Sequence, residues 1–157
     1  MPPSLIFDIS GINLSRIVDD QEEIRRYNPQ RGDMEQLNAI VHVARERGEI
    51  MGYKDVRADE FWVPGHIPGR PLYPGVLMIE AAAQLSCMFS RKYVGWTGFI
   101  GFGSADEIKF RTQVVPPCRL YLLGLKTWER HSRIHSKVQG MVDGVVCFEG
   151  SITGVKM

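Results

Sequence analysis

FWVPGHIPGRPLYPGVLMIEAAAQLSCMFSRKY, residues 61–93, is the stretch on which the fold turns. Its first half carries Pro64, Pro68, Pro71 and Pro74 with Gly65, Gly69 and Gly75, which exclude regular structure. Its second half, from Val76 onward, is too long for a typical strand and holds the helix formers Leu77, Met78 and Ala81–Ala83. The run is apolar on nearly every side, so it reads as a buried helix.

Working outward, the chain after this helix is β-type. The Gly-rich GWTGFIGFGS ends the helix, and strands are expected over Ala105–Phe110, Arg119–Trp128, Arg133–Val142 and Val145–Val155. Asp143-Gly144 is a tight-hairpin signal between the last two. On the N-terminal side, Asp19 and Asp20 open DDQEEIRRYNPQR, where early acids and later arginines suit a helix that Pro29 stops. Strands are expected over Ala39–Val43 and Glu49–Arg57, with the polar ARERGE as the turn between. Residues 1–18 read ambiguously. One buried helix against a run of antiparallel strands indicates an α+β domain, with the sheet wrapped around the helix.

Glu80 is the anomalous residue of the helix. Its neighbours three, four and seven positions away on the same face include Val76, Leu77, Ala83, Gln84 and Cys87, and only Gln84 is strongly polar. A surface glutamate normally sits among other charges, which here resume only at Arg91 and Lys92. Glu80 therefore faces a site or a partner subunit, as an acid suited to donating a proton, or serves as a structural carboxylate bonded to Gln84 or to backbone. His66 lies in the loop before the helix, where the prolines reduce the chain's freedom. It reads either as a general base or as a capping or surface histidine. His42, His131 and His135 show no such setting, and the last two are expected to be solvated. Pro74-Gly75 begins the helix, where the first N–H groups lack internal acceptors and the dipole favours negative charge. A carbonyl placed there would be polarised, and Gly75 would let it approach the backbone closely.

The chain has 157 residues, 44% of them hydrophobic, enough for the core of one domain of ordinary size. A net charge of +1 gives no global drive toward nucleic acid or an anionic membrane surface. Cys87, Cys118 and Cys147 are odd in number and widely spaced, which argues against a disulfide framework or a zinc site and suits reduced thiols in the cytoplasm. MPPSLIFDIS lacks the pattern of a signal peptide, and no stretch approaches the apolar length of a membrane span. Lys109, Arg111, Arg119, Arg91 and Lys92 could form a basic docking surface, although a solvated face is the plainer reading of each. Arg31-Gly32-Asp33 is a chance tripeptide, and Gly101-Phe102-Gly103 is not a dinucleotide loop because no helix follows it.

GHIPGRPLYPGVLMIEAAAQ, residues 65–84, closely resembles the signature of FabZ-type 3-hydroxyacyl-[acyl-carrier-protein] dehydratases: His, two Pro-Gly pairs, an apolar run, then Glu followed by Ala-x-Ala-Gln. His66 precedes Gly75 by nine positions and Glu80 by fourteen, as the motif requires. The related FabA-type enzymes carry Asp at the Glu80 position, so Glu80 favours the FabZ branch. DQEEIRRYNPQR, GYKDVRADEFWVPGH, ADEIKFRTQVVPP and MVDGVVCFEGSITG extend the likeness, thinly, over most of residues 20–155. Departures also stand out. Gln30 replaces a usual His, and GDMEQLNAIV replaces an apolar strand that normally ends in Asp. Ser104 replaces a Gly, Thr112-Gln113 an Arg-Pro, and Pro117-Cys118 a Gly-Asp. These bear on the sheet edge, the acyl tunnel and substrate range more than on the reaction.

The resemblance implies a hot-dog fold in a single domain over 1–157, with 1–19 an N-terminal extension and 20–157 the dehydratase-like core. It implies a homodimer, or a hexamer of three dimers, in which each site takes its histidine from one subunit and its glutamate from the other. His66 would remove the C2 proton of a (3R)-hydroxyacyl thioester carried on acyl carrier protein, and Glu80 would protonate the departing hydroxyl. Gly75, with Val76 beside it, would hold the thioester carbonyl, and Gln84 would orient Glu80. Phe99, Phe102 and Phe110 are candidates to line the acyl tail, or plain core residues. No metal or organic cofactor is implied, because the thioester itself acidifies the α-proton. Two other readings stay open: a hot-dog acyl thioesterase, and a non-catalytic subunit that binds acyl carriers.

Overall fold

A computed structural model describes residues 3–157. Six strands form one antiparallel sheet: β1 (Ala39–Ala44), β2 (Glu49–Val56), β3 (Ile100–Phe110), β4 (Cys118–Arg130), β5 (Arg133–Val142) and β6 (Val145–Lys156). Their order is β1-β2-β4-β5-β6-β3, which leaves β1 and β3 at the edges. A short helix α1 (Gln21–Tyr27) precedes the sheet, and the long helix α2 (Gly75–Met88) runs between β2 and β3 in sequence. This is the hot-dog fold.

Each element follows from local chemistry. Asp20 caps α1 by accepting from the Glu23 N–H at 2.9 Å, and the helix ends at Tyr27, before Pro29. Asp143 and Gly144 both take positive φ, as a two-residue hairpin between right-twisted strands demands. α2 begins directly after Pro74, continues through the π-helical turn Phe89–Val94, and stops at Gly95 in the left-handed conformation.

The strands alternate by face. Ile40, Ile50, Leu122 and Val138 point to α2 and enclose Met78, Ala81, Ala82, Leu85 and Met88 with Phe148. Their neighbours Ala39, Val41, Met51, Leu123 and Met141 point the other way and are buried too. What buries them is the N-terminal segment, whose Leu5, Ile6, Phe7, Ile9, Ile12 and Leu14 lie across that outer face. Gln139, itself 1% exposed, clamps this strap. It donates to Ser4 O and accepts from the Ile6 N–H, both at 2.9 Å. The strap's far end is tied by Asp19, whose buried carboxylate accepts from Lys92 and from the Tyr93 hydroxyl just beyond α2. The region 1–19, unassigned by pattern, is thus an integral layer from residue 3 onward; Met1 and Pro2 lie outside the described residues.

One strand boundary differs from expectation. β3 begins at Ile100, inside the Gly-rich run read as a helix terminus, rather than at Ala105. The glycines there serve close approach. A Cβ at Gly103 would lie 2.4 Å from Val155 Cγ2, and one at Gly101 would lie 2.5 Å from Met157 Cε.

Candidate active site

The loop carrying His66 is held from below before the imidazole is placed. Lys54 and Glu60, both buried, pair at 2.6 Å, and Glu60 also accepts from the Arg57 N–H at 2.7 Å. Trp62 packs edge-on against Tyr73 with ring centroids 5.6 Å apart, joining the two ends of the loop. Trp62 O accepts the His66 N–H at 2.8 Å. The ring is then fixed by one contact, His66 Nδ1 to Leu72 O at 2.8 Å. A carbonyl can only accept, so Nδ1 carries the proton, and in the neutral ring Nε2 keeps a free lone pair. That tautomer is the one a general base at Nε2 needs.

Glu80 lies half-buried on α2. Its Oε1 accepts from Gln84 Nε2 at 2.9 Å, one helical turn on. Gln84 is 3% exposed and fully engaged. Nε2 also donates to Met34 O at 2.7 Å, and Oε1 accepts the Gln36 N–H at 2.9 Å. Gln36, 1% exposed, in turn accepts from the Tyr73 hydroxyl at 2.6 Å. Burial pushes the Tyr73 phenol far above its ordinary range, which keeps it a donor. An unbroken chain Tyr73–Gln36–Gln84–Glu80 therefore links the histidine loop to the carboxylate. Gln36 and Tyr73 were not singled out from sequence. The signal was present in the departure GDMEQLNAIV, which places a glutamine where an apolar strand was expected.

Gly75 opens α2, and Pro74 provides no side-chain cap, so the first N–H groups face outward. Space above Gly75 is already taken: a Cβ there would lie 2.8 Å from the Phe110 ring. Val76 beside it is 73% exposed.

Two cavities share out these residues. His66, Gly75, Val76 and Phe110 line one of about 550 Å³. Glu80, Gln84, Phe99 and Phe102 line another of about 280 Å³ between α2 and the β3–β6 edge. The two have no lining residue in common. The three phenylalanines expected along one acyl tail are therefore divided: Phe110 sits with the histidine, Phe99 and Phe102 with the glutamate. All three are exposed, Phe102 and Phe110 on β3 and Phe99 just before it, at an unpaired edge.

The basic docking surface is largely neutralised internally. Arg119 makes a two-pronged pair with Asp55 at 2.8 and 3.2 Å and stacks on Tyr53, Arg111 pairs with Glu149, and Lys92 with Asp19. His135 is not freely solvated either: it stacks on Trp128 at 5.4 Å, and burial lowers its pKa.

Comparison with known proteins fits this geometry. The FabA-like domain family matches residues 28–152. The chain belongs to the FabA-like family. Within it, the chain is 30% identical over 138 residues to the 3-hydroxyacyl-[acyl-carrier-protein] dehydratase FabZ of Aromatoleum aromaticum, covering 85% of this chain and 94% of that one. It is 34% identical over 131 residues to FabZ of Acetivibrio thermocellus, covering 83% and 89%. Among solved structures, the dehydratase heterocomplex ApeI:P from Xenorhabdus doucetiae superposes with a TM-score of 0.72 over 85% of this chain and 90% of that one. At 16% identity, that likeness concerns the fold.

Proposed function

We propose that this FabA-like chain is a (3R)-hydroxyacyl-[acyl-carrier-protein] dehydratase, a hydro-lyase that forms trans-2-enoyl thioesters in fatty-acid or related lipid biosynthesis. The reading is carried by a chain that holds both a histidine fixed through Nδ1 and a glutamate held by a glutamine, and whose curated relatives are FabZ dehydratases. In the elimination, His66 Nε2 takes the C2 proton, and the C2–H electron pair becomes the C2=C3 bond. The C3–O bond breaks as Glu80 delivers a proton, releasing water. Outward N–H groups at Gly75 and Val76 stabilise the enolate-like oxygen. No step calls on a metal or organic cofactor.

The division of His66 and Glu80 between two cavities supports a site completed by a second copy. The exposed β3 edge with Phe99, Phe102 and Phe110 supports a homodimer joined there, whether alone or as part of a hexamer. Residues 1–157 then act as one hot-dog unit. The acyl group arrives on a carrier protein, and three free cysteines suit the cytoplasm. Among the described residues, no helix is long and apolar enough to cross a membrane.

The test uses purified protein with crotonyl and 3-hydroxybutyryl thioesters, following enoyl absorbance and free thiol together. His66→Ala and Glu80→Gln should each lower turnover at least about a hundredfold. Thiol release without hydration would instead make the protein a thioesterase, and near-normal rates in both variants would reject the mechanism.

A further inference from the structure

The cavity beside Glu80 is lined mostly by apolar groups but carries a row of polar side chains along α2. Glu80, Gln84, Cys87 and Arg91 recur at spacings of four, three and four residues, which keeps them on one face of the helix as it passes into its π-helical turn. All four line the 280 Å³ cavity, with Gln30 and Ser86. Burial pushes the Cys87 thiol up to about 11, so it stays an uncharged wall residue at neutral pH.

Three of these side chains carry a buried polar atom with no hydrogen-bond partner: Gln30 Oε1, Ser86 Oγ and Arg91 Nε. Buried polar atoms are nearly always satisfied, and leaving one unmet is costly. The Arg91 guanidinium is anchored at its other end, where Nη1 donates to Gly98 O, so its Nε–H is held in place. Among the described residues it has no carboxylate partner. At 1.5 Å per residue, Ser86 lies roughly 9 Å and Arg91 roughly 16 Å beyond Glu80 along the helix. Ser86 and Arg91 thus sit away from the carboxylate that would meet the reacting carbons. Together the unmet groups offer a fixed donor, a hydroxyl and an acceptor.

Building on the dehydratase reading, we propose that the acyl chain handled here carries a hydrogen-bonding oxygen at its distal end, held by Arg91, Ser86 and Gln30, and that these residues determine substrate choice.

The test compares kcat/KM for carrier-bound 3-hydroxyoctanoyl and 3,8-dihydroxyoctanoyl groups in the wild type and in Arg91→Met. The wild type should favour the distal hydroxyl at least tenfold, and Arg91→Met should erase that preference. Equal or better use of the plain chain by the wild type overturns the proposal, as does a preference that survives in Arg91→Met. Arg91→Met protein that runs as a smaller species on light scattering, with its preference intact, also overturns it, by assigning these atoms to a subunit contact. Calorimetry with the saturated octanoyl and 8-hydroxyoctanoyl thioesters of N-acetylcysteamine separates the two readings. Tighter binding of the hydroxylated ligand, lost in Arg91→Met, supports the polar subsite even if no dehydration occurs. Equal binding overturns the subsite and leaves the dehydratase reading standing.

Discussion

Replacing Gln84 by Met keeps volume and helix propensity but removes three hydrogen bonds. The Gln36 N–H is left buried and unmet, which costs about 1–3 kcal/mol. Met34 is half exposed, so its carbonyl can turn to water and the loss there is about 1 kcal/mol. Together these give about 2–4 kcal/mol, a fall in Tm of roughly 5–15 °C for a chain of this size. Glu80 loses the donor that aims it, so kcat should fall about tenfold with KM little changed, the pattern of a positioning residue. Gln84→Glu separates the two effects. It keeps an acceptor for Gln36 but sets a second carboxylate beside Glu80, and should retain more stability than Gln84→Met while losing as much activity or more. Thermal denaturation and steady-state kinetics measure both. A Tm within about 2 °C of wild type in Gln84→Met, or an unchanged kcat, would refute the role given to this network.

Two further outcomes follow from packing and charge. Gly52→Ala would place a Cβ 2.5 Å from the Ala39 carbonyl oxygen, a backbone atom that cannot swing aside, and should cost about 1–3 kcal/mol by urea denaturation; a neutral result would mean that β1 yields there. Glu35 is held by a two-pronged bond from Arg25 at 2.7 and 3.0 Å, which lowers its pKa below the ordinary 4.5 despite the opposing effect of burial. Its contribution to stability is present above 4.5 and drains away as pH falls through the lower folded value, so the wild-type advantage over Glu35→Gln should shrink on acidification across that window. An advantage that stays constant from pH 6 to pH 3 would contradict this.

The helix and the hairpins were legible because each rests on a local signal, apolar length and Asp-Gly, and Glu80 drew attention as an isolated carboxylate in an apolar run; the chain by itself sets His66 and Glu80 in two separate cavities. What escaped depended on distant partners. The start of β3 was hidden because glycine normally marks a turn, and only the side chains of Val155 and Met157 explain why it belongs in a strand here. The strap was hidden because Leu5, Ile6, Phe7, Ile9 and Ile12 match neither a helical nor an alternating period. They follow the shape of a surface made by β1, β2, β4 and β5. Gln36 showed only as a polar intrusion in GDMEQLNAIV, and Tyr73 not at all, because the relay that gives both their importance joins residues far apart in the chain.

The strap also constrains how the molecule can grow. Hot-dog sheets present two broad sides, and here the one turned away from the long helix is upholstered by the chain's own opening residues, leaving little grease there for a neighbour. The proposed side-by-side joining along β3 would leave this covered side untouched. Trimming residues 3–16 would bare Val41, Met51, Leu123 and Met141 as a sticky plate.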